Sequence, residues 1–199
     1  MSFAKGVSKF KTLTFEQQYN SIKNCPLSSN GKGSFTRDCF YWEFTAQPTP
    51  LSKTYLVLLI FHIDKYSPDV FILDQDVWDI SKKKSIPHLY DSKKIKLCLY
   101  YPAYNDWDQT MPLNTTFVPW TYLWLYYYEE WLFSCEWKGG GEHPSNKDSD
   151  VKDKKQMSIF NKFRKPKAKK TNKEDKAKQI IHSIYEQRRK AYIEREGLL

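Results

Sequence analysis

The sequence predicts an α+β fold of two layers: a helix, an antiparallel β-meander, a loop and a second, aromatic helix, with a basic tail ending in a further helix. Three observations predict it. Between residues 35 and 76, three consecutive segments alternate apolar and polar residues or run apolar throughout, separated only by short turns, so the strands are neighbours in the order of the chain. Nowhere between them is there a ten-residue helical crossover of the kind a parallel sheet requires. Finally, the aromatic and alternating apolar residues end near Pro144, and a polar, charged texture replaces them.

The elements follow in order. "LTFEQQYNSIKN" at 13–24 begins at a threonine cap and continues as a short helix, with Leu13, Tyr19 and Ile22 available for packing. "FTRDCFYWEFTA" reads as a strand, "TYLVLLIFHID" as a buried strand and "DVFILDQD" as a third, with turns at "QPTPLSK" and "KYSP". The strand-like "IKL" leads to Cys98, followed by a loop that ends in "DQTMPLNTTFVP". A helix then runs from about Val118 to Ser134, capped by Thr115 or Thr116, with Pro119 at a tolerated early position. Trp120, Trp124, Tyr127 and Trp131 fall on one stripe of it and are expected to face the sheet as core. The domain boundary falls at Pro144. Residues 145–175 are too polar and charged to offset their ordering entropy and read as a flexible linker, interrupted only by "SIFNKF". From 176 to 199 an amphipathic helix is expected, with Ile180, Ile181, Ile184, Tyr185, Ala191 and Tyr192 on one face and Glu186, Arg188, Arg189 and Arg195 on the rest. An isolated helix of that length is marginal in water, so it should dock on its own domain or on a partner.

Charge and cysteine usage narrow the functional classes. The net charge is +9, yet residues 1–144 hold 15 Lys and Arg against 15 Asp and Glu, while 145–199 hold 17 against 8. The excess is confined to the tail, so a nucleic-acid role rests on charge alone and is not expected. Four cysteines, Cys25, Cys39, Cys98 and Cys135, form no CxxC pair and follow no secretory leader, which points to a reduced, cytoplasmic setting. The apolar run at 55–63 is far shorter than the roughly 20 residues of a membrane span, and the aromatic block 117–133 carries Glu129 and Glu130; no membrane helix is expected. No GxSxG, phosphate-binding glycine loop or HExxH is present.

In "PHLYDSKKIKLCLYYPAYNDW", His88 lies ten residues before Cys98 and Trp107 nine after it. This order and spacing resemble the fold of ubiquitin-conjugating (UBC) enzymes, in which the histidine of an HPN motif precedes the active-site cysteine and a tryptophan follows. "YSPDVFIL" stands where that family has its Pro-rich turn into a strand. "LCLYYP", "VPWTYLWLYYYEEWL" and "EWKGGGEHP" are more specifically similar to the bacterial ubiquitin-conjugating-like proteins of anti-phage cyclic-oligonucleotide (type II CBASS) systems. The resemblance covers roughly residues 10–144.

It implies that Cys98 carries an acyl group as a thioester, and that the group is the C-terminal carboxyl of a cGAS/DncV-like nucleotidyltransferase, held in the cleft near Cys98 and passed to a lysine. Signal synthesis would thereby be primed or regulated. His88 would brace the loop by hydrogen bonds or, less readily, act as acid or base. Tyr90 stands where the HPN asparagine would be, so the usual oxyanion donor is replaced by a hydroxyl. The amides of Asn105 and Asn114 are further candidate donors. "GGGEHP" reads as a helix-ending turn, or as a path bringing His143 toward Cys98. The spacing of His88, Cys98, Glu142 and His143 matches no metal-ligand pattern, and no metal or cofactor is expected. With no ATP-binding motif, either another protein activates the acyl group or the donor arrives as a stable complex. A non-catalytic UBC-like scaffold or chaperone for the same nucleotidyltransferase is the alternative.

Overall fold

The computed structural model describes residues 11–101, 106–140 and 170–198. Helix α1 (Phe15–Lys23) opens on a complete capping box, the Thr14 hydroxyl accepting from the Gln17 backbone while the Gln17 side chain accepts from the Thr14 N–H. Six strands follow: β1 (Lys32–Phe35), β2 (Cys39–Ala46), β3 (Tyr55–His62), β4 (Asp69–Ile72), β5 (Leu89–Asp91) and β6 (Lys96–Leu97). They form one antiparallel sheet in the order β1-β2-β3-β4-β6-β5. Helix α2 (Gln75–Lys83) lies between β4 and β5, α3 (Phe117–Ser134) follows the cysteine loop, and α4 (Lys170–Arg195) closes the chain. The α+β class and the meander are as expected.

Both faces of the central strands are buried, which is why β3 reads as an unbroken apolar run rather than an alternating one. Phe40, Trp42 and Phe44 of β2 and Val57, Leu59 and Phe61 of β3 point to an inner face, where α1 and α3 pack. Cys39, Leu58, Ile60 and Phe71 point to an outer face covered by Ile181 and Tyr185 of α4. Gln18 ties α1 to the approach of α3: buried, it donates to the Met111 carbonyl at 3.0 Å and accepts from the Leu113 N–H at 3.0 Å. Trp107 is fully buried between Phe61, Tyr66, Tyr100 and Phe117.

Several elements differ from the sequence reading. The third strand ends at Ile72, and "QDVWDISKK" is helix α2, begun at Asp74; the polar end of the segment read as a strand, Asp74 to Asp76, is the cap and first turn of that helix. The first predicted strand is a hairpin, with β1 exposed at the edge and a turn at 36–38. On α3 the buried residues are Phe117, Val118, Thr121, Trp124, Leu125, Tyr128 and Trp131, so Trp124 and Trp131 face the core as expected, whereas Trp120 and Tyr127 are only partly buried and Tyr128 is buried instead. Thr116 occupies the cap position of α3 but donates its hydroxyl back to the Pro112 carbonyl instead of capping the helix. Helix α3 ends at Cys135, which takes the left-handed φ of 57° usually left to glycine, four residues before the glycine run, and Cys135 is exposed. Cys25 and Cys39 are buried.

Helix α4 begins at Lys170, inside the stretch read as linker. Its buried face is Ala177, Ile181, Tyr185 and Arg189, so Arg189 joins the docked side while Ile180 is largely exposed. "SIFNKF" lies outside the described residues. Among the described residues, no helix is long and apolar enough to cross a membrane.

Candidate functional site

Cys98 leaves the sheet at its least regular corner. Asp91 turns the chain from β5 to β6 by accepting from the Lys93 and Lys94 N–H groups at 2.9 and 3.2 Å, and Ile95 passes through a φ of 49°. Lys96 then pairs with Phe71 on β4 and Asp91 on β5, whereas Leu97 pairs with Leu89. Tyr90 is therefore an extra residue on β5, a bulge that re-aims its side chain. His88, just before the bulge, is held at a φ of 52°. A non-glycine residue in that region costs on the order of 1–3 kcal/mol unless its surroundings impose it. Here they do: the His88 carbonyl accepts from the Cys98 N–H at 2.9 Å and from the Trp124 indole N–H at 3.0 Å. Its ring lies against Trp137, centroids 5.0 Å apart. The histidine thus ties the start of the cysteine loop to α3 through its backbone.

Cys98 as a whole residue is only 8% exposed. Its Sγ lies 3.9 Å from the Tyr100 carbonyl, which also accepts from the Tyr90 hydroxyl at 2.8 Å. Burial raises the thiol pKa, while the Tyr90 hydroxyl and the Lys96 charge act in the opposite direction. A hydroxyl has a single proton to give. With the thiol neutral, Tyr90 spends it on Tyr100; once sulfur is a thiolate, the charged acceptor competes for it, since charge-assisted hydrogen bonds are the stronger. The Lys96 ammonium is anchored by Asp69 at 2.8 Å and lies 5.5 Å from the centre of the Tyr90 ring. The arrangement sets a hydroxyl donor and a cation beside a thiol that burial otherwise holds protonated, so the neighbours that favour a negative charge on sulfur oppose its desolvation.

Of the residues singled out from the sequence, the structure brings together Cys98, His88 and Tyr90. Asn114 sits in a 3-10 turn, Leu113–Thr115, and no hydrogen bond among the described residues joins it to Cys98; its side-chain oxygen is buried without a partner. Asn105 and His143 lie outside the described residues. Sequence reasoning missed Lys96, Asp69 and the Tyr100 carbonyl. A lysine two residues before the cysteine was visible, but nothing in the sequence pairs it with an aspartate 27 positions earlier. Arg189 was missed for the same reason: it donates to the Leu73 carbonyl at 2.6 Å and to the Gln75 side chain, both over a hundred residues away.

The element order, with an N-terminal helix, an antiparallel sheet, a cysteine loop and a following helix, is consistent with a UBC-like fold. Comparison with curated proteins gives no significant match. A family model described as "Type II CBASS E2 protein" matches residues 18–144, which takes in most of α1, all six strands, Cys98 and α3. Because that match covers well over half of the chain and includes the whole corner at which Cys98 is held, the protein belongs to the type II CBASS E2 family.

Proposed function

We propose that Cys98 accepts the C-terminal carboxyl of a cGAS/DncV-like nucleotidyltransferase as a thioester and passes it to a lysine. Membership in the CBASS E2 family implies operon partners such as that nucleotidyltransferase. The observation that carries the reading is the convergence of the Cys98 thiol and the Tyr90 hydroxyl on one carbonyl at a bulged strand edge. In the first step the Cys98 thiolate attacks an acyl carbon already activated by another protein, as an adenylate or a thioester. The C–S bond forms as the bond to the activating group breaks. In the second step a lysine amine displaces sulfur, loses its proton, and leaves an amide and the free thiolate. Tyr90 donates to the oxyanion in both steps, in the place of the asparagine of the HPN motif. Asn105, Asn114 and His143 remain candidate contributors from the loop and the chain beyond α3, and a cytoplasmic location suits a free thiol.

The scaffold reading is favoured by one observation, the burial of the thiol and the upward push this gives its pKa. Intact mass of the protein co-purified with the nucleotidyltransferase and its activating protein, with and without thiol reductant, separates the two. The conjugating reading expects a reductant-sensitive adduct that Cys98→Ala abolishes and that Cys39→Ala and Cys135→Ala retain. Under the scaffold reading no adduct forms, and Cys98→Ala still supports defence in cells.

A further inference from the structure

Lys96 and Cys98 are two residues apart where the chain leaves β6, and Leu97 between them is turned into the inner core, so the lysine and the cysteine depart from the same side of the strand. The bulge brings Tyr90 to that side as well, with its ring 5.5 Å from the Lys96 ammonium and its hydroxyl on the carbonyl that the thiol also faces. Asp69, on the next strand, grips the ammonium at 2.8 Å from a largely buried position. The neighbouring charges are engaged elsewhere: the Asp91 carboxylate caps the β5–β6 turn, the Lys94 ammonium lies 5.8 Å from the Tyr185 ring on α4, and the His88 ring lies against Trp137.

We propose that Lys96 is a positioning residue for the chemistry of Cys98, a fixed cation that favours the thiolate and sharpens the Tyr90 hydroxyl as a donor, and that Asp69 sets how much of its charge the sulfur feels. The inference deepens the conjugating role assigned to Cys98 and rests on that reading for its purpose, though not for its test. A cation lying over the face of a phenol withdraws electron density from it and strengthens its O–H as a donor. The same cation lowers the cost of ionising a thiol that burial otherwise keeps protonated. A carboxylate partner holds the ammonium in place and at the same time cancels part of its field, so removing either member of the pair should shift the thiol in opposite directions.

The test uses the full chain alone: the pH dependence of Cys98 alkylation by iodoacetamide, followed by peptide mass mapping so that Cys25, Cys39 and Cys135 do not contribute. Lys96→Gln should raise the apparent thiol pKa by about 0.5 to 1 unit, slowing alkylation about three- to tenfold at lower pH. Asp69→Asn should lower it, and Lys96→Arg should leave it near the wild-type value. Loss of a merely structural ion pair would move Lys96→Gln and Asp69→Asn in the same direction, and that result, or an unmoved pKa in Lys96→Gln with folding intact by thermal melt, overturns the proposal. Opposite shifts in a protein that forms no reductant-sensitive adduct would leave the Lys96 assignment standing and remove the conjugating role. An adduct at Cys98 with unmoved pKa values would do the reverse.

Discussion

On the inner face of the sheet, rings from β2 and β3 meet α1 and α3 in a continuous aromatic core: Phe40 against Phe15, Tyr19 and Phe61, Phe61 against Trp107, and Tyr55 against Tyr128. On the outer face, Leu58, Ile60 and Phe71 meet Ile181 and Tyr185 of α4, with Ile184 and Tyr192 partly buried beside them, and polar contacts add to these. Arg188 pairs with the buried Glu43 at 2.8 Å, and the 7%-exposed Arg189 reaches the Leu73 carbonyl. The inner seal is redundant, because each ring has several neighbours and each aromatic pair adds about 0.5–1.5 kcal/mol beyond its burial. The outer seal depends on few side chains, two of them desolvated ions whose net worth is small while the pair is intact and whose loss is costly. Such a surface opens locally before the domain unfolds. Lys96 pairs with the outer-face Phe71, so the corner that holds Cys98 borders the weaker seal.

The largest effect should come from the inner face. Leu59→Ala, at a fully buried position on β3, should cost on the order of 3 kcal/mol in urea unfolding, with loss of adduct formation only in proportion to the unfolded fraction. A cost below 1 kcal/mol would mean that the inner core relaxes and is no more rigid than the outer. Next comes Tyr90→Phe, which removes one hydroxyl at the border of the two regions. Thioester formation should slow about a hundredfold while the urea midpoint stays put. A lowered midpoint would instead make the bulge part of the scaffold.

Arg189→Ala tests the outer face and should cost on the order of 2 kcal/mol, the typical worth of hydrogen bonds from a charged group. Amide exchange should quicken along α4 well before β2 and β3 respond; uniform quickening would show that the two faces open together. The smallest effect concerns pH. Burial, with Asp38 adding to it, pushes the thiol of Cys39 on the outer face up to about 11 from 9.0. The folded protein then holds this proton more tightly than the unfolded chain does, so the associated stability is intact below pH 9 and is lost as pH rises from 9 through 11. At pH 9.5 the loss is about 1 kcal/mol or less. Unfolding free energies of wild type and Cys39→Ala should run parallel up to about pH 8.5, with the variant falling less steeply above it; parallel curves throughout would place Cys39 in contact with water.

Much of the fold was legible because its signals are local. The capping box at Thr14 and Gln17, the two-faced run of β3 and the aromatic density of α3 each follow from residues within one or two turns of one another. Cys98, His88 and Tyr90 are singled out in the sequence by their resemblance to the histidine-to-cysteine spacing of ubiquitin-conjugating enzymes, whereas the bulged hairpin that carries them to one edge is seen only in the fold. Helix α2 escaped because it is short and its polar first turn directly follows β4, where it reads as a strand end, and two of the four stripe residues on α3 were misjudged because almost every residue on that helix is apolar or aromatic, which leaves periodicity little contrast.

What the sequence by itself determined is therefore the α+β class and the succession of N-terminal helix, antiparallel meander, aromatic helix and terminal helix, since these rest on neighbours in the chain and on burial that composition announces. What only the tertiary structure decided is which charges are buried and whom they meet: Asp69 on Lys96, Glu43 on Arg188, Arg189 on a strand-end carbonyl. Charged residues read as solvent-facing in any pattern of hydrophobicity, because a charge is tolerated inside only where a partner compensates its desolvation, and that partner is supplied by the fold rather than by the neighbouring residues.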